Sequence, residues 1–383
     1  MKLLQQVRYF KYFVTVLQLM QKLSTNEDKN LNFETVLVLQ GGGSLGAYEC
    51  GVYKTLDKHG IRFDVVSGTS MGGINAAIIA SPKNDEPSKS LEGFWLNLAE
   101  TATSFLPQNK RAQLSSMYVS MWGTPNAFQP IWFMPNLFNF LYYDQPYLYD
   151  VEPLKKTIGD YVDFDKLKNP NRPRLIITST DIQNGKPSIF DSKYDRINAT
   201  HVVAGCGYPF YGIAWTEISG KYLWDGSLLS NTPLTEVINA SPICDKKVYV
   251  VDLFPHIQEG IPKNMMESWH RARDIMDSDK TEHSVRMSKI ISRYLSLIKN
   301  MHDFIESSNL DEKAKREFQK IESEYNKLAC QRGAIIREII RVKRQEKGDS
   351  HYLFENADFS LATIKQLISD GEKDAEKVLS TKS

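Results

Sequence analysis

Two stretches of the sequence decide the fold, TVLVLQGGGSLGA at residues 35–47 and FDVVSGTSMGG at residues 63–73. Each begins with an apolar run, passes through a glycine-rich turn and leads into a segment of helical character, 47–59 or 73–80. Two strand–turn–helix units in succession are typical of a parallel sheet whose strands are connected by helices. The sequence therefore predicts the α/β class.

Apolar runs farther along the chain extend the predicted sheet. Further strands are expected at residues 174–180, 187–190, 221–224 and 247–253. Beyond them, apolar residues recur at helical spacing over 287–305 and 318–328, which predicts two long helices in a hairpin. A strand at 352–354 and a helix at 361–379 are expected to close the chain.

The first glycine turn, residues 41–46, has two interpretations. It matches G-x-G-x-x-G, the turn that holds the pyrophosphate of a dinucleotide at a helix N-terminus. Alternatively, the backbone N–H groups of Gly42, Gly43 and Ser44 form an oxyanion hole for a tetrahedral intermediate. Both interpretations depend on exposed amides and on the positive end of a helix dipole.

The second glycine turn favours the oxyanion hole. Gly68, Ser70 and Gly72 form G-x-S-x-G between an apolar strand and a small-residue helix, the arrangement called a nucleophile elbow. A dinucleotide site needs an acidic residue at the end of this strand, whereas Asp64 stands at its beginning. The two turns together predict that Ser70 is a nucleophile facing an anion-binding loop.

A serine nucleophile needs a base, because its hydroxyl is almost wholly protonated at neutral pH. His256, just past a predicted strand, is the best candidate among the histidines, although none has a convincing local context. Asp225 is another candidate, because in Trp224-Asp225-Gly226-Ser227 an acid ends an apolar strand and enters a glycine turn. Local pattern leaves both candidates open.

The motifs at 41–46, 68–72 and 225–227, in this order and spacing, resemble those of the patatin-like phospholipases, over about residues 35–239. The resemblance implies a three-layer α/β/α fold, a Ser-Asp dyad without a catalytic histidine, and hydrolysis of lipid esters as by a phospholipase A or lysophospholipase. Carried over by position, it makes Ser70 the nucleophile, Asp225 the general base, Gly41, Gly42, Gly43, Ser44 and Gly46 the oxyanion loop, Gly68 and Gly72 the elbow glycines, and Gly226 and Ser227 the acid turn.

The sequence departs from the family's common pattern at two positions. Leu45 stands where many members have Arg or Lys, and Ser227 replaces the usual Gly or Ala and adds a hydroxyl near the base. Cys206 is interpreted as a small buried loop residue rather than a nucleophile. The aromatic segment 117–149 is interpreted either as the acyl pocket or its cover, or as ordinary core.

Two functions from other classes stay open, an NAD(P)-binding Rossmann-type module and a non-catalytic lipid-binding relative. The sequence has no H-E-x-x-H, EF-hand loop or P-loop lysine, so neither a metal nor a cofactor is expected. Its 47 basic and 46 acidic residues give a net charge of +1, so nucleic acid is not an expected partner. The expected partner is a lipid or ester substrate.

Cysteine usage and the N-terminal segment indicate where the protein is expected to be located. Four widely spaced cysteines argue against a disulfide framework and fit a reducing, cytoplasmic compartment. Residues 3–23 are apolar but too interrupted for a membrane-spanning helix, and no signal-peptide cleavage site follows. They are interpreted as a helix on the domain's flank or as an interfacial helix in lipid headgroups.

Peripheral membrane contact has a second candidate in the basic cluster at 337–347, interpreted mainly as the solvated end of the second long helix. The predicted organisation is an N-terminal helix and linker at 1–32, a patatin-like catalytic domain at 33–260, a helical hairpin extension at 261–348, and a closing strand and helix at 349–383.

Overall fold

A computed structural model describes residues 33–103, 124–131, 146–240, 244–255, 257–258, 260–307, 312–332, 336–345 and 355–381. The predicted N-terminal helix and linker, the strand at 352–354, His256 and most of the aromatic segment 117–149 lie outside the described residues.

A mainly parallel sheet is the centre of the described chain, as the sequence predicts. The strands are β1 (Phe33–Leu39), β2 (Val65–Thr69), β3 (Gln129–Pro130), β4 (Tyr149–Asp150), β5 (Arg174–Asp181), β6 (Lys186–Asp191), β7 (Thr216–Ile218), β8 (Lys221–Asp225), β9 (Asp245–Asp252) and β10 (Ile336–Lys343). Eight of them form one sheet in the order β10–β9–β1–β2–β5–β8–β7, with β6 also paired to β5. The pairs β10–β9, β1–β2 and β2–β5 are parallel, whereas β6, β7 and β8 pair antiparallel. Strands β3 and β4 form a separate ribbon.

Helices cover both faces of this sheet. They are α1 (Gly46–Lys58), α2 (Met71–Ala80), α3 (Pro87–Thr103), α4 (Glu152–Tyr161), α5 (Ala199–Ala204), α6 (Leu234–Asn239), α7 (Met265–Glu306), α8 (Glu312–Arg332) and α9 (Leu361–Ser380). Helices α7 and α8 are the two long helices expected in the C-terminal region. Within the described residues, no helix combines the length and apolar character needed to cross a bilayer.

Alternate side chains of the strands enter two separate hydrophobic cores. On β1, Leu37 and Leu39 belong to a core shared with α1 to α4 and α9, whereas Val36 and Val38 belong to one shared with α6 and with Val285 of α7. Successive side chains of a strand point to opposite faces of a sheet. The two cores therefore lie on opposite faces, and the three-layer α/β/α architecture is confirmed.

The basic cluster near residue 340 does not end a helix, and this prediction is wrong. Residues 336–343 form β10, which pairs in parallel with β9. Ile340 and Val342 are buried while Arg341 between them is only partly so, a period of two that suits a strand. Arg341 pairs with Asp252 and Glu282. Arg341 is therefore engaged inside the fold and does not offer its charge to anionic lipid.

Candidate active site

Ser70 stands in the sharp turn between β2 and α2. Its φ of 54° and ψ of −129° form a conformation that L-residues rarely adopt. The turn needs glycines, because a Cβ at Gly68 would lie 2.1 Å from the carbonyl oxygen of Gly72, and one at Gly72 would lie 2.7 Å from that of Gln40. The tight turn places Ser70 at the N-terminus of α2 and on the wall of a cavity.

Strand β5 brings Asp225 to the same place. One edge of β5 pairs with β2 as far as Thr178, which lies opposite Thr69. At the next residue that edge changes partner, since Ser179 pairs with Asp225 at the end of β8 while β6 occupies the other edge. The C-terminal ends of β2 and β8 therefore meet along one edge of β5. This meeting of two strand ends places Asp225 beside Ser70.

The Asp225 carboxyl is almost wholly buried, with 1% of the residue exposed. Burial raises the pKa of Asp225 to about 6, although the hydroxyl of Ser70 and the N–H and hydroxyl of Ser227 act as hydrogen-bond donors that lower it. The Ser227 N–H donates to Asp225 Oδ1 at 2.8 Å. A carboxylate with a raised pKa is a better base than an exposed one.

The first glycine turn reaches Ser70 through Gly41. A Cβ at Gly41 would lie 3.0 Å from Ser70 Cβ and 2.6 Å from Asn231 Oδ1, so no larger residue fits there. The Asn231 side chain donates to the Gly41 carbonyl oxygen at 3.1 Å. The N–H groups of Gly42 and Gly43 have no hydrogen-bond acceptor among the described residues, and both glycines line the cavity. Both glycines thus line the same cavity as Ser70.

A segment near the C-terminus holds the glycine turn in place. Gly43 has a φ of +58°, and a Cβ there would lie 2.2 Å from the backbone oxygen of Asn356. Asn356 in turn donates through its side chain to the Tyr211 hydroxyl at 2.8 Å. No local pattern in the sequence points to Asn356, because the contact joins distant parts of the chain.

A buried polar network behind the glycine turn was also missed. Glu49 accepts from the Gln40 N–H at 2.7 Å and from the Asn75 side chain at 2.8 Å. Asn75 also donates to the Gly46 carbonyl oxygen at 2.9 Å and accepts from the Trp95 indole at 3.0 Å. Burial raises the pKa of Glu49 well above its usual range. An acid inside the apolar run of α1 was the signal that could have found it.

A cavity of about 500 Å³ brings these groups together. Ser70, Asp225 and residues 41–43 form one side of it. Helix α7 contributes Arg273 and Asp277. Much of the remaining wall is aromatic or aliphatic, as shown by Phe128, Leu148, Tyr149, Phe210, Ile213 and Phe254. The first three belong to the aromatic segment 117–149, so its described parts border the cavity.

Other predicted site residues lie elsewhere. Ser44 is fully buried in the turn just before α1 and Gly46 packs against Trp95, and neither is on the cavity wall. Cys206 does reach the wall, but burial raises the pKa of its thiol well above the usual range and its Sγ donates to a backbone oxygen. Of the histidines whose side chains are described, none lines the cavity, and His59 instead contacts Glu376 at 2.8 Å.

Comparison with known proteins agrees with this arrangement. The family model for patatin-like phospholipase matches residues 37–238, more than half of the chain. The triacylglycerol lipase SDP1L of Arabidopsis thaliana is 36% identical over 80 residues, which are 21% of this chain and 10% of that protein. The cGAMP-activated phospholipase of Vibrio cholerae is 24% identical over 220 residues, 52% of this chain and 55% of that protein. The chain thus spans a tenth of one relative and about half of the other.

A solved structure has a weak likeness to the fold. The crystal structure of VipD from Legionella pneumophila is 10% identical, with a TM-score of 0.35 over 91% of this chain and 67% of that one. A likeness of this size adds nothing to the assignment, which depends on the family model and its matched residues. The chain belongs to the patatin-like phospholipase family.

Proposed function

We propose that this protein is a serine acyl hydrolase that cleaves carboxylic esters of lipids through a Ser70–Asp225 dyad. One observation carries the proposal, namely that a strained serine and a buried carboxyl of raised pKa meet at the wall of an apolar cavity. Perturbed titratable groups that converge on a nucleophile in a cleft are typical of catalytic centres.

In this mechanism Asp225 accepts the hydroxyl proton of Ser70 as Oγ attacks the ester carbonyl. The negative charge that develops on the carbonyl oxygen is stabilised by the N–H groups of Gly42 and Gly43 and by the positive end of α2. The tetrahedral intermediate then collapses, the bond to the leaving alcohol breaks, and the proton on Asp225 passes to that alcohol. The product of this half-reaction is acyl-Ser70.

Deacylation repeats the same steps with water. Asp225 takes a proton from the water molecule, whose oxygen attacks the acyl carbonyl, and the proton then returns to Ser70 Oγ as the fatty acid leaves. A carboxylate is a weak base for an alcohol, so the elevated pKa of Asp225 and the two amides share the work of catalysis.

The cavity wall supports a lipid substrate. Its apolar side chains suit an acyl chain, and its charged groups other than Asp225 come from the single helix α7. We therefore place the activity with phospholipase A or lysophospholipase-like esterases. A dinucleotide site is less favoured, because Ser70 rather than an acid follows β2 and the backbone of Asn356 closes over Gly43.

The test is covalent labelling combined with ester turnover. A fluorophosphonate probe is expected to label the wild type and to fail with Ser70→Ala, while Cys206→Ala, which removes the thiol on the wall, keeps its labelling. Hydrolysis of phospholipids, lysophospholipids and p-nitrophenyl butyrate should follow the same pattern. Labelling that survives Ser70→Ala would contradict the proposal. A rise in melting temperature with NAD or NADP would favour the dinucleotide-binding alternative. Absence of both labelling and turnover would favour a non-catalytic relative.

A further inference from the structure

Large apolar side chains lie exposed where the cavity meets solvent. Phe210 is 73% exposed, Ile257 82%, Ile261 86% and Met265 83%. Trp269, at 38%, is the most exposed tryptophan among the described residues. We call these five residues the apolar rim. Large exposed apolar side chains on neighbouring segments indicate an interaction surface.

Two parts of the chain locate the rim at the cavity mouth. Phe210 both lines the cavity and is largely exposed, so it stands where the cavity opens. The ring of Trp269 packs 6.0 Å from that of Tyr211, another lining residue. Met265, Trp269 and Arg273 follow one another at intervals of four on α7 and share one face, and Arg273 lines the cavity. The first turns of α7 therefore run outward from the cavity to the rim.

The loop before α7 supplies the other two rim residues. Ile257 and Ile261 lie between Phe254, which lines the cavity, and the beginning of α7. The Arg271 guanidinium donates to the Pro255 carbonyl oxygen at 3.3 Å and ties this loop to the helix. The described part of the loop thus lies between two segments that line the cavity, at Phe254 and at Arg273 of α7.

We propose that the apolar rim docks the protein on a phospholipid bilayer, so that the cavity opens directly into the lipid. The inference rests on the proposed function, because a lipid ester must leave a bilayer to reach Ser70. Moving apolar side chains from water to the boundary between headgroups and acyl chains is favourable, and tryptophan suits that boundary. A bilayer is favoured over a protein partner because the rim borders the entrance that the substrate must use.

The expected response to salt distinguishes the apolar rim from the basic cluster at 337–347 as a docking surface. Arg337 pairs with Asp245, and Arg341 pairs with Asp252, so these cations already have acidic partners within the fold. Docking through the apolar rim is expected to resist salt, since ionic screening weakens attraction between charges but not apolar insertion. Salt resistance is therefore a signature that a basic docking surface would lack.

The test compares two double variants that are matched in chemistry. Ile261→Glu with Met265→Glu places two charges on the rim at residues that do not line the cavity. Met301→Glu with Ile321→Glu makes the same changes at exposed positions of α7 and α8. Binding to phosphatidylcholine vesicles is measured by flotation at low and high NaCl, with Ser70→Ala included to exclude effects of turnover.

The rim variant is expected to bind vesicles about tenfold more weakly or worse. It should hydrolyse vesicle lipid correspondingly slowly but cleave soluble p-nitrophenyl butyrate like the wild type. The control pair, the wild type and Ser70→Ala should bind alike at both salt concentrations. Equal vesicle binding by the rim variant and the wild type overturns the proposal, and so does wild-type binding that high salt abolishes. Absence of esterase activity in the wild type would instead refute the proposed function, while vesicle binding would still report on the rim.

Discussion

Asp225 and Glu49 are both buried carboxyl groups with a raised pKa, yet their surroundings differ. Both oxygens of Glu49 accept hydrogen bonds inside a closed network, from the Gln40 N–H and the Asn75 side chain. Asp225 instead lies on the cavity wall next to Ser70. Burial alone therefore does not identify a functional acid. Both acids accept hydrogen bonds from protein donors, so the difference is their position. An acid enclosed within the protein stabilises the fold, whereas one at a cavity wall can exchange a proton with a ligand.

The largest expected effect separates the two acids by activity. Ser70→Ala and Asp225→Asn should each lower kcat/KM for ester hydrolysis by about 1,000-fold or more, because members of a catalytic unit fail together. Steady-state kinetics with p-nitrophenyl butyrate measures this, with circular dichroism to verify folding. Asp191→Asn, a buried aspartate that pairs with Arg174 away from the cavity, is the matched control and should retain its turnover. Comparable activity of Asp225→Asn and the control would remove Asp225 from the mechanism.

Substitution of Glu49 should instead have its main effect on the free energy of unfolding. Glu49→Ala leaves the Gln40 N–H and the Asn75 amide buried without this acceptor, and it also creates a cavity. A loss of about 4 kcal/mol in the free energy of unfolding is expected. Urea denaturation at pH 7 checks this value. A loss below about 1 kcal/mol would mean that the network behind the glycine turn is not a structural support.

Asp225→Asn should instead raise the free energy of unfolding measured by urea denaturation. The acid is protonated in both states below about pH 4, but from there to pH 6 the unfolded chain ionises while the folded protein resists ionisation. The wild type therefore loses stability as pH rises through this window. The variant should be more stable by about 3 kcal/mol at pH 8 and nearly equal at pH 4. A gain that does not depend on pH would contradict the raised pKa.

The glycine turn extends the comparison to the backbone. Gly43→Ala forces a side chain toward the Asn356 backbone at 2.2 Å and should displace the Gly42 and Gly43 amides, which we propose stabilise the oxyanion. We expect kcat to fall about 100-fold. Gly185→Ala is the matched control, because Gly185 has a similar φ of +63° but nothing within 4 Å of an added Cβ. Equal activity of the two variants would show that the turn plays no part in catalysis.

The smallest effect is the pH dependence of the wild type. Because Asp225 must be ionised to act as a base, kcat/KM should fall about tenfold per pH unit below about pH 6. A profile from pH 4.5 to 8 with p-nitrophenyl butyrate measures this limb. An inflection near pH 4 would indicate that the acting carboxylate is solvated.

Prediction from the sequence succeeded where the signal is local. The strand–turn–helix units, the glycines around Ser70 and the acid at the end of β8 are set by residue types within a few positions of each other. It failed at the basic cluster 337–347, whose pattern predicts the end of a helix, whereas residues 336–343 form β10. Their strand conformation depends on pairing with β9, a contact that no local window contains.

The sequence by itself determined the α/β class, the elbow at Ser70 and Asp225 as one candidate for its partner. Only the tertiary structure decided that the two residues meet, because their proximity depends on the C-terminal ends of β2 and β8 meeting along one edge of β5. The clamp of Asn356 on Gly43 and the apolar rim likewise arise from distant segments. The physical reason is that turn chemistry acts through bonded neighbours, whereas strand order and register are fixed by the packing of the whole core.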